Sequence, residues 1–169
     1  EYYRDKLLSF NEIGGGVRVE WKKLGEVAEF RNGFAFKSDL FTKNGLPIIR
    51  ITNISGIVVN MDDLKFFNIQ DYLKANLATY KVNKGDILIA MSGATTGKIG
   101  FFNSEETAYL NQRIGMVIPK KGILNNLYLY HYLATKTNLF YNMAGGGAQP
   151  NLSSQDIKEK FFIPIPSLE

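Results

Sequence analysis

A chain of 169 residues is long enough for one domain with a sizeable core, and 45% hydrophobic with 21% charged residues is the balance of a globular chain, not a disordered one. The absence of cysteine excludes disulfides and thiolate metal sites and suits a cytoplasmic protein. The net charge of +4 is mildly basic, and no apolar run approaches the ~20 residues that a membrane span needs.

In chain order, EYYRDKLLSF sets Tyr2, Tyr3, Leu7, Leu8 and Phe10 at helical spacing among charges, which predicts a short amphipathic helix over 1–13. Gly14, Gly15 and Gly16 predict a flexible hinge over 14–19, leaving 20–169 as the globular domain. A start at Glu1 and not Met suggests a fragment of something longer. VEWKKLGEVAEF reads as a strand or short helix entering the globular part. GLPIIRITNI, GDILIAM and RIGMVIP are compact aliphatic runs, predicted as buried strands. NNLYLYHYLATKTNLFYNM predicts one long helix, with Leu129, Leu133 and Phe140 sharing a face with Tyr130, Ala134 and Tyr141. Aromatic stripes of this kind usually face a core; docking to another protein is the second reading. GGGAQPN stops that helix, Ser153 and Asp156 start another at capping-box spacing, and KFFIPIP closes with a proline-punctuated strand. No repeat and no regular alternation appear, so the fold class is α+β, with a mixed, twisted sheet and a few helices.

GDILIAMSGATTGKIGFF imitates a nucleotide-binding loop. A P-loop needs four residues between its glycines and Ser or Thr after the lysine, for magnesium. Here Gly93 and Gly97 enclose three, and Ile99 follows Lys98. The loop remains a good surface for phosphate of another kind, and a small nucleotide-binding enzyme stays open as a lesser alternative.

Charge is distributed unevenly. Between Glu106 and Asp156 there is no acid, while Arg113, Lys120, Lys121 and Lys136 supply positive charge among many Asn and Gln. Cations and amides read base edges and hold phosphates, although a solvated polar face would look the same. Catalytic groups are scarce. His131, the one histidine, lies between Tyr130 and Tyr132 and reads as packed or interfacial. Glu20-Trp21-Lys22 and Asp63-Leu64-Lys65 imitate a piece of a nuclease centre but lack a second acid to share magnesium, so they read as surface residues. No metal site and no cofactor-binding fingerprint is expected. The residues point to a binding domain.

Taken together, GLPIIRITNI, GDILIAMSGATTGKIG, LNQRIGMVIP and GGGAQPNLSSQDIKEKFFIPIPSLE resemble a target recognition domain of the specificity subunit of type I restriction–modification enzymes. EYYRDKLLSF is similar to the end of that family's long conserved spacer helix. The resemblance implies a non-catalytic domain that binds double-stranded DNA and reads one half of a bipartite target. It also implies modification subunits that methylate adenine with S-adenosylmethionine, and restriction subunits that use ATP and magnesium ion. A second recognition domain of the same subunit, or a second copy, would read the other half-site. The parent is then a full-length subunit or a trimmed half-length one; a type II-like fused restriction–methylation enzyme is the alternative.

Within this reading the base-reading candidates are Arg31, Asn32, Lys37, Arg50 and Asn53, with Gln112, Arg113 and Gln149 in reserve, since Arg or Lys grips guanine and Asn or Gln pairs with adenine. Arg50 has a structural alternative, an ion pair with Asp62 or Asp63, and Arg31-Asn32-Gly33 could be a turn. Backbone candidates are Ser92, Thr95, Thr96, Lys98, Asn111, Asn151 and Ser153.

Overall fold

The computed structural model describes residues 19–166. The helix expected over 1–13, and the 14–19 hinge apart from Val19, lie outside the described residues. Strand β1 (Val19–Lys23), helix α1 (Leu24–Val27) and strand β2 (Ala28–Asn32) follow one another, so the segment predicted as strand or helix is both. Next come β3 (Leu46–Ile49), β4 (Lys65–Phe67), β5 (Lys81–Val82), β6 (Ile87–Ala90), β7 (Ile99–Phe101), β8 (Ala108–Leu110) and β9 (Ile114–Pro119). Helices α2 (Asn126–Ala134), α3 (Thr137–Met143) and α4 (Ser154–Lys160) precede β10 (Phe162–Pro166).

The strands divide into three sheets, where one was expected. One sheet runs β2-β9-β6-β7, another β4-β3-β8-β5, and β1 pairs with β10. The second is mixed, because β3 and β8 are parallel while its other neighbours are antiparallel. The side-chain alternation of β6 explains how the layers stack. Ile87 and Ile89 face a core shared with the helices, including Leu129, Leu133, Phe140 and Ile157. Leu88 and Ala90 face a core shared with Ile49, Val82, Ala108 and Leu110 of the second sheet. All four residues of β6 have 0% exposure. A strand buried on both faces reads as a continuous apolar run, which is why ILIA was legible. The far side of the second sheet carries a third cluster around Phe36, Ile48, Phe67, Tyr72 and Tyr109.

Two predicted elements are shorter than expected. The strand in GLPIIRITNI ends at Ile49 and gives way to a 3-10 turn at Ile51–Asn53. The long helix is two helices. The Thr135 hydroxyl donates to the Tyr132 carbonyl at 2.7 Å, and the Lys136 N–H bonds Leu133 O, so the ladder tightens and stops before restarting at Thr137. Threonine competing for its own helix's carbonyls is the cause. Leu133 and Phe140 both stay buried, as predicted, whereas Tyr141 is exposed. No helix among the described residues is long and apolar enough to cross a membrane.

The glycine loop connects antiparallel β6 and β7, so no helix follows Lys98. A P-loop delivers phosphate to a helix N-terminus, and this loop has none to offer. Its glycines answer a packing need instead. Gly97 has φ +83°, and a side-chain carbon there would stand 2.7 Å from the Thr137 carbonyl oxygen. Gly97→Ala should therefore destabilise the fold by about 2–4 kcal/mol, combining left-handed strain with overpacking, as read by denaturant unfolding. An unchanged midpoint would show that the β6–β7 loop does not need its contact with α3.

Candidate nucleic-acid interface

Strands β2, β3, β6 and β8 end, and β9 begins, at one end of the layered sheets, and nearly all the candidates arrive there. Gly33 is what lets the segments meet: a side-chain carbon there would lie 2.0 Å from the Asn111 carbonyl oxygen. The Gly33 N–H donates to Ile114 O and the Phe34 N–H to Leu110 O, stitching the end of β2 to the β8–β9 turn. The Met91 N–H donates to Arg113 O at 2.9 Å, and Met91 O accepts from the Leu152 N–H at 2.7 Å. Ser92 and Asn151 form an isolated antiparallel bridge.

Between these segments lies a cleft of about 610 Å³, lined by Ser92, Gly93, Gln112, Arg113, Gln149 and Asn151 with Ala148 and Pro150. Gln112, Arg113, Gln149 and Asn151 are exposed. Their side chains make no hydrogen bond and no salt bridge among the described residues. The cleft is lined by no acid. Five candidates from both lists thus converge on one polar surface: Ser92, Gln112, Arg113, Gln149 and Asn151. Gly93 (φ +80°) comes from the glycine loop read from sequence as a phosphate surface, whereas Ala148 and Pro150 were not singled out as site residues. Neither was Met91, which ties the walls together, because its role is played by its peptide group and leaves no trace in residue type.

The other candidates are placed less freely. Asn53 is 2% exposed, and its amide is fully engaged: Oδ1 accepts from the Arg50 N–H, and Nδ2 donates to Asn60 O and Asp63 O. It braces the loop after β3 and has no donor left for a base. Thr96 is 3% exposed and its hydroxyl donates to Gly93 O, so it cannot meet a phosphate. The Thr95 hydroxyl donates to Ile51 O, holding the β6–β7 loop against the turn after β3. Ser153 caps α4 by accepting from the Asp156 N–H. Asn111 bridges Phe34 and donates its N–H to Ile49 O. Asn32 Nδ2 donates to the Ser154 hydroxyl at 3.4 Å, at the start of α4. Arg50 lies 3.7 Å from Asp63, the structural alternative its position suggested. Arg31 donates to Thr79 O at 3.1 Å. Lys37 is exposed and anchored only through its backbone N–H to the Tyr72 hydroxyl. Lys98 stands apart, in a depression of about 200 Å³ with Ser55, Ile57 and Thr137.

The two acid-x-lysine pieces are surface ion pairs or parts of them: Glu20 with Lys22 at 3.1 Å, and Asp63 with Arg50. Among the described residues no cluster of His, Asp and Glu could hold a metal ion. His131 is exposed, its ring 4.9 Å from that of Tyr130, and so is not packed inside the helix bundle. A groove of about 500 Å³ on the helical side is walled by Trp21, Leu139, Met143 and Phe162 together with Lys136, Asp156 and Lys160. There the charges are engaged within the protein, Lys160 with Asp156 at 2.6 Å and Lys136 4.8 Å over the Tyr132 ring.

Comparison with known proteins agrees with this architecture. The model of the type I restriction modification DNA specificity domain matches residues 17–169. The chain belongs to this family. It is 28% identical over 157 residues to the type I restriction enzyme EcoAI specificity subunit of Escherichia coli, covering 89% of this chain and 26% of that protein. It is 27% identical over 175 residues to the MjaVIII specificity subunit of Methanocaldococcus jannaschii, covering 99% of this chain and 40% of that protein. The chain thus spans well under half the length of these relatives. The crystal structure of the HsdS subunit from Thermoanaerobacter tengcongensis has the same fold, with a TM-score of 0.66 and 18% identity over 99% of this chain and 40% of that one.

One substitution tests the division between braced and free residues, and a second tests a half-buried carboxyl. Asn53→Ala leaves the Arg50 N–H and two carbonyls without partners, and should cost roughly 2–3 kcal/mol in unfolding. A neutral result would return Asn53 to the set of exposed readers. Burial raises the Asp86 pKa above the usual carboxylate value, partly countered by the Asn83 N–H it accepts and by the Arg31 charge. A carboxyl raised in the folded state contributes stability at acid pH, which is lost as pH climbs from the ordinary carboxylate value through the raised one. Asp86→Asn should therefore flatten that pH dependence while leaving stability at neutral pH unchanged or higher; a marked loss at neutral pH would assign Asp86 a needed ion pair with Arg31.

Proposed function

We propose that this chain is the DNA-reading domain of a specificity subunit, recognising one half of a bipartite target. Adenine methylation and cleavage then take place on separate modification and restriction subunits, where S-adenosylmethionine, ATP and magnesium ion belong. The other half-site falls to a second recognition domain, in the same subunit or a second copy. One observation carries the reading. Four exposed donor-bearing side chains, unpaired among the described residues and in a cleft with no acid in its lining, converge at the strand ends of a rigid scaffold. Proteins hold nucleic acid with such a surface. The relatives are specificity subunits, which favours this reading over a fused restriction–methylation enzyme. The β6–β7 hairpin removes the structural basis of a nucleotide-binding loop.

Base reading is assigned first to the segments 30–41 and 50–56, with Arg31, Asn32, Lys37 and Arg50 as its candidates. Asn53 leaves that set because of its burial.

The complete subunit, assembled with its modification partner, should select a single bipartite motif from a random duplex library. Its log affinity should fall with log salt by roughly 0.9 for each phosphate neutralised. Binding indifferent to salt would remove the electrostatic premise, and enrichment of no motif would remove specificity.

A further inference from the structure

We propose that the cleft between Gln112–Arg113 and 148–151 seats a phosphodiester of the DNA backbone, with Arg113 as its cation, and does not read a base. This assignment rests on the DNA-reading function above and names what that site holds.

Unspent bonding capacity comes first. Arg113 carries five N–H donors, and Gln112, Gln149 and Asn151 two each on their amides; none is used by the protein among the described residues. The cleft is therefore rich in donors, carries one full positive charge, and has no acid in its lining. Thr107 to Gln155 contains no acid either. That composition suits an anion with several acceptor oxygens, as a phosphodiester has.

Shape decides between backbone and base. Base edges lie at the floor of a major groove about 8.5 Å deep, so the elements that read them project from the protein. A cleft of about 610 Å³ is the opposite, a concavity. The part of a duplex that projects into a concavity is its sugar–phosphate ridge, and contacts there fix register without reporting sequence. The cleft is also built to hold still. Its walls share the two hydrogen bonds of Met91, and Gly93 at φ +80° presents backbone without a side chain. A fixed seat for the backbone would set the register in which the projecting segments meet the bases.

The experiment uses the complete specificity subunit bound to its modification partner, with Arg113→Ala, Arg113→Lys and Gln149→Ala. Arg113 is exposed, and among the described residues only its backbone is bonded, so the described fold does not depend on its side chain. Arg113→Ala should weaken cognate and unrelated duplexes by the same factor, about tenfold or more. The salt slope should drop by roughly 0.9, and the methylated motif should not change. Arg113→Lys should restore most of the affinity, since phosphate accepts a point charge where bidentate guanine reading needs the guanidinium fork. Scanning the duplex with single neutral methylphosphonates should reveal one linkage whose replacement weakens the wild type but not Arg113→Ala. A motif altered at one position by Arg113→Ala or Gln149→Ala would overturn the assignment by making the cleft a base reader. Unchanged affinity and slope in Arg113→Ala would overturn it by removing DNA from the cleft. A wild-type assembly that methylates without sequence preference would overturn the specificity reading itself, and this assignment with it.

Discussion

The peptide group of Met91 is the constraint on which the candidate interface depends. Its N–H holds Arg113 and its carbonyl holds Leu152, so one residue at the end of β6 fixes both walls of the cleft. The Met91 side chain is 7% exposed and sits in the helical core, and the four residues before it are wholly buried. Packing therefore immobilises the strand, the strand positions a peptide, and the peptide spaces the walls. None of these links uses a side chain that lines the cleft. Residues at 112, 113, 149 and 151 are thus free to differ in chemistry without moving the surface that carries them.

The same logic separates polar residues that hold the loops from those that face outward. Asn53, Thr95, Thr96 and Ser153 spend their side chains on neighbouring backbone. Loops that carry binding residues must be made rigid by something other than a ladder, and short polar side chains satisfying local carbonyls and N–H groups are the cheapest means. Each such bond is worth only about 1 kcal/mol net, but leaving its buried partner unsatisfied costs more. Residue type alone does not reveal the side of this division on which an Asn or Thr falls.

That difference sets how much was legible in the sequence. Strands β6 and β9 announced themselves because both faces are buried and the apolar run is unbroken. Strands β5, β7 and β8 are two or three residues long, too short for a periodicity, and exist because larger neighbours offer them partners. The helix over 125–143 looked continuous because its apolar spacing persists through Thr135 and Lys136; the break is a hydrogen-bonding event that the pattern does not record. For the candidate interface, the acid-free stretch supplies Gln112, Arg113, Gln149 and Asn151, which the fold gathers around one cleft. Asn53 had the chemistry of a base reader, but its Oδ1 caps Arg50 from a buried position. Arg113 and Gln149 are far apart in sequence and neighbours in the cleft, a proximity held by the Met91 bonds and the Ser92–Asn151 bridge.

A different device holds the segment 33–37, which has neither strand nor helix. Phe34 packs edge-on against Phe36 and Tyr72 and lies 5.2 Å from Tyr80, while Phe36 leans on Phe67. The Tyr72 hydroxyl then accepts the Lys37 N–H. Alternate residues of this segment are thus anchored by rings, while Ala35 and Lys37 point to solvent. Aromatic side chains lose little rotamer freedom for the area they bury, so this anchoring orders the backbone at low entropic cost. A segment ordered before it meets its ligand has less to lose on binding than a free loop would. The ring cluster lies on the outer face of the second sheet, and the cleft at the sheets' end, yet Gly33 joins them directly by packing against Asn111. The aromatic-anchored segment and the β8–β9 turn beside the cleft are therefore joined by a Gly33–Asn111 approach too close for any side chain and by the hydrogen bonds of the Gly33 and Phe34 N–H groups.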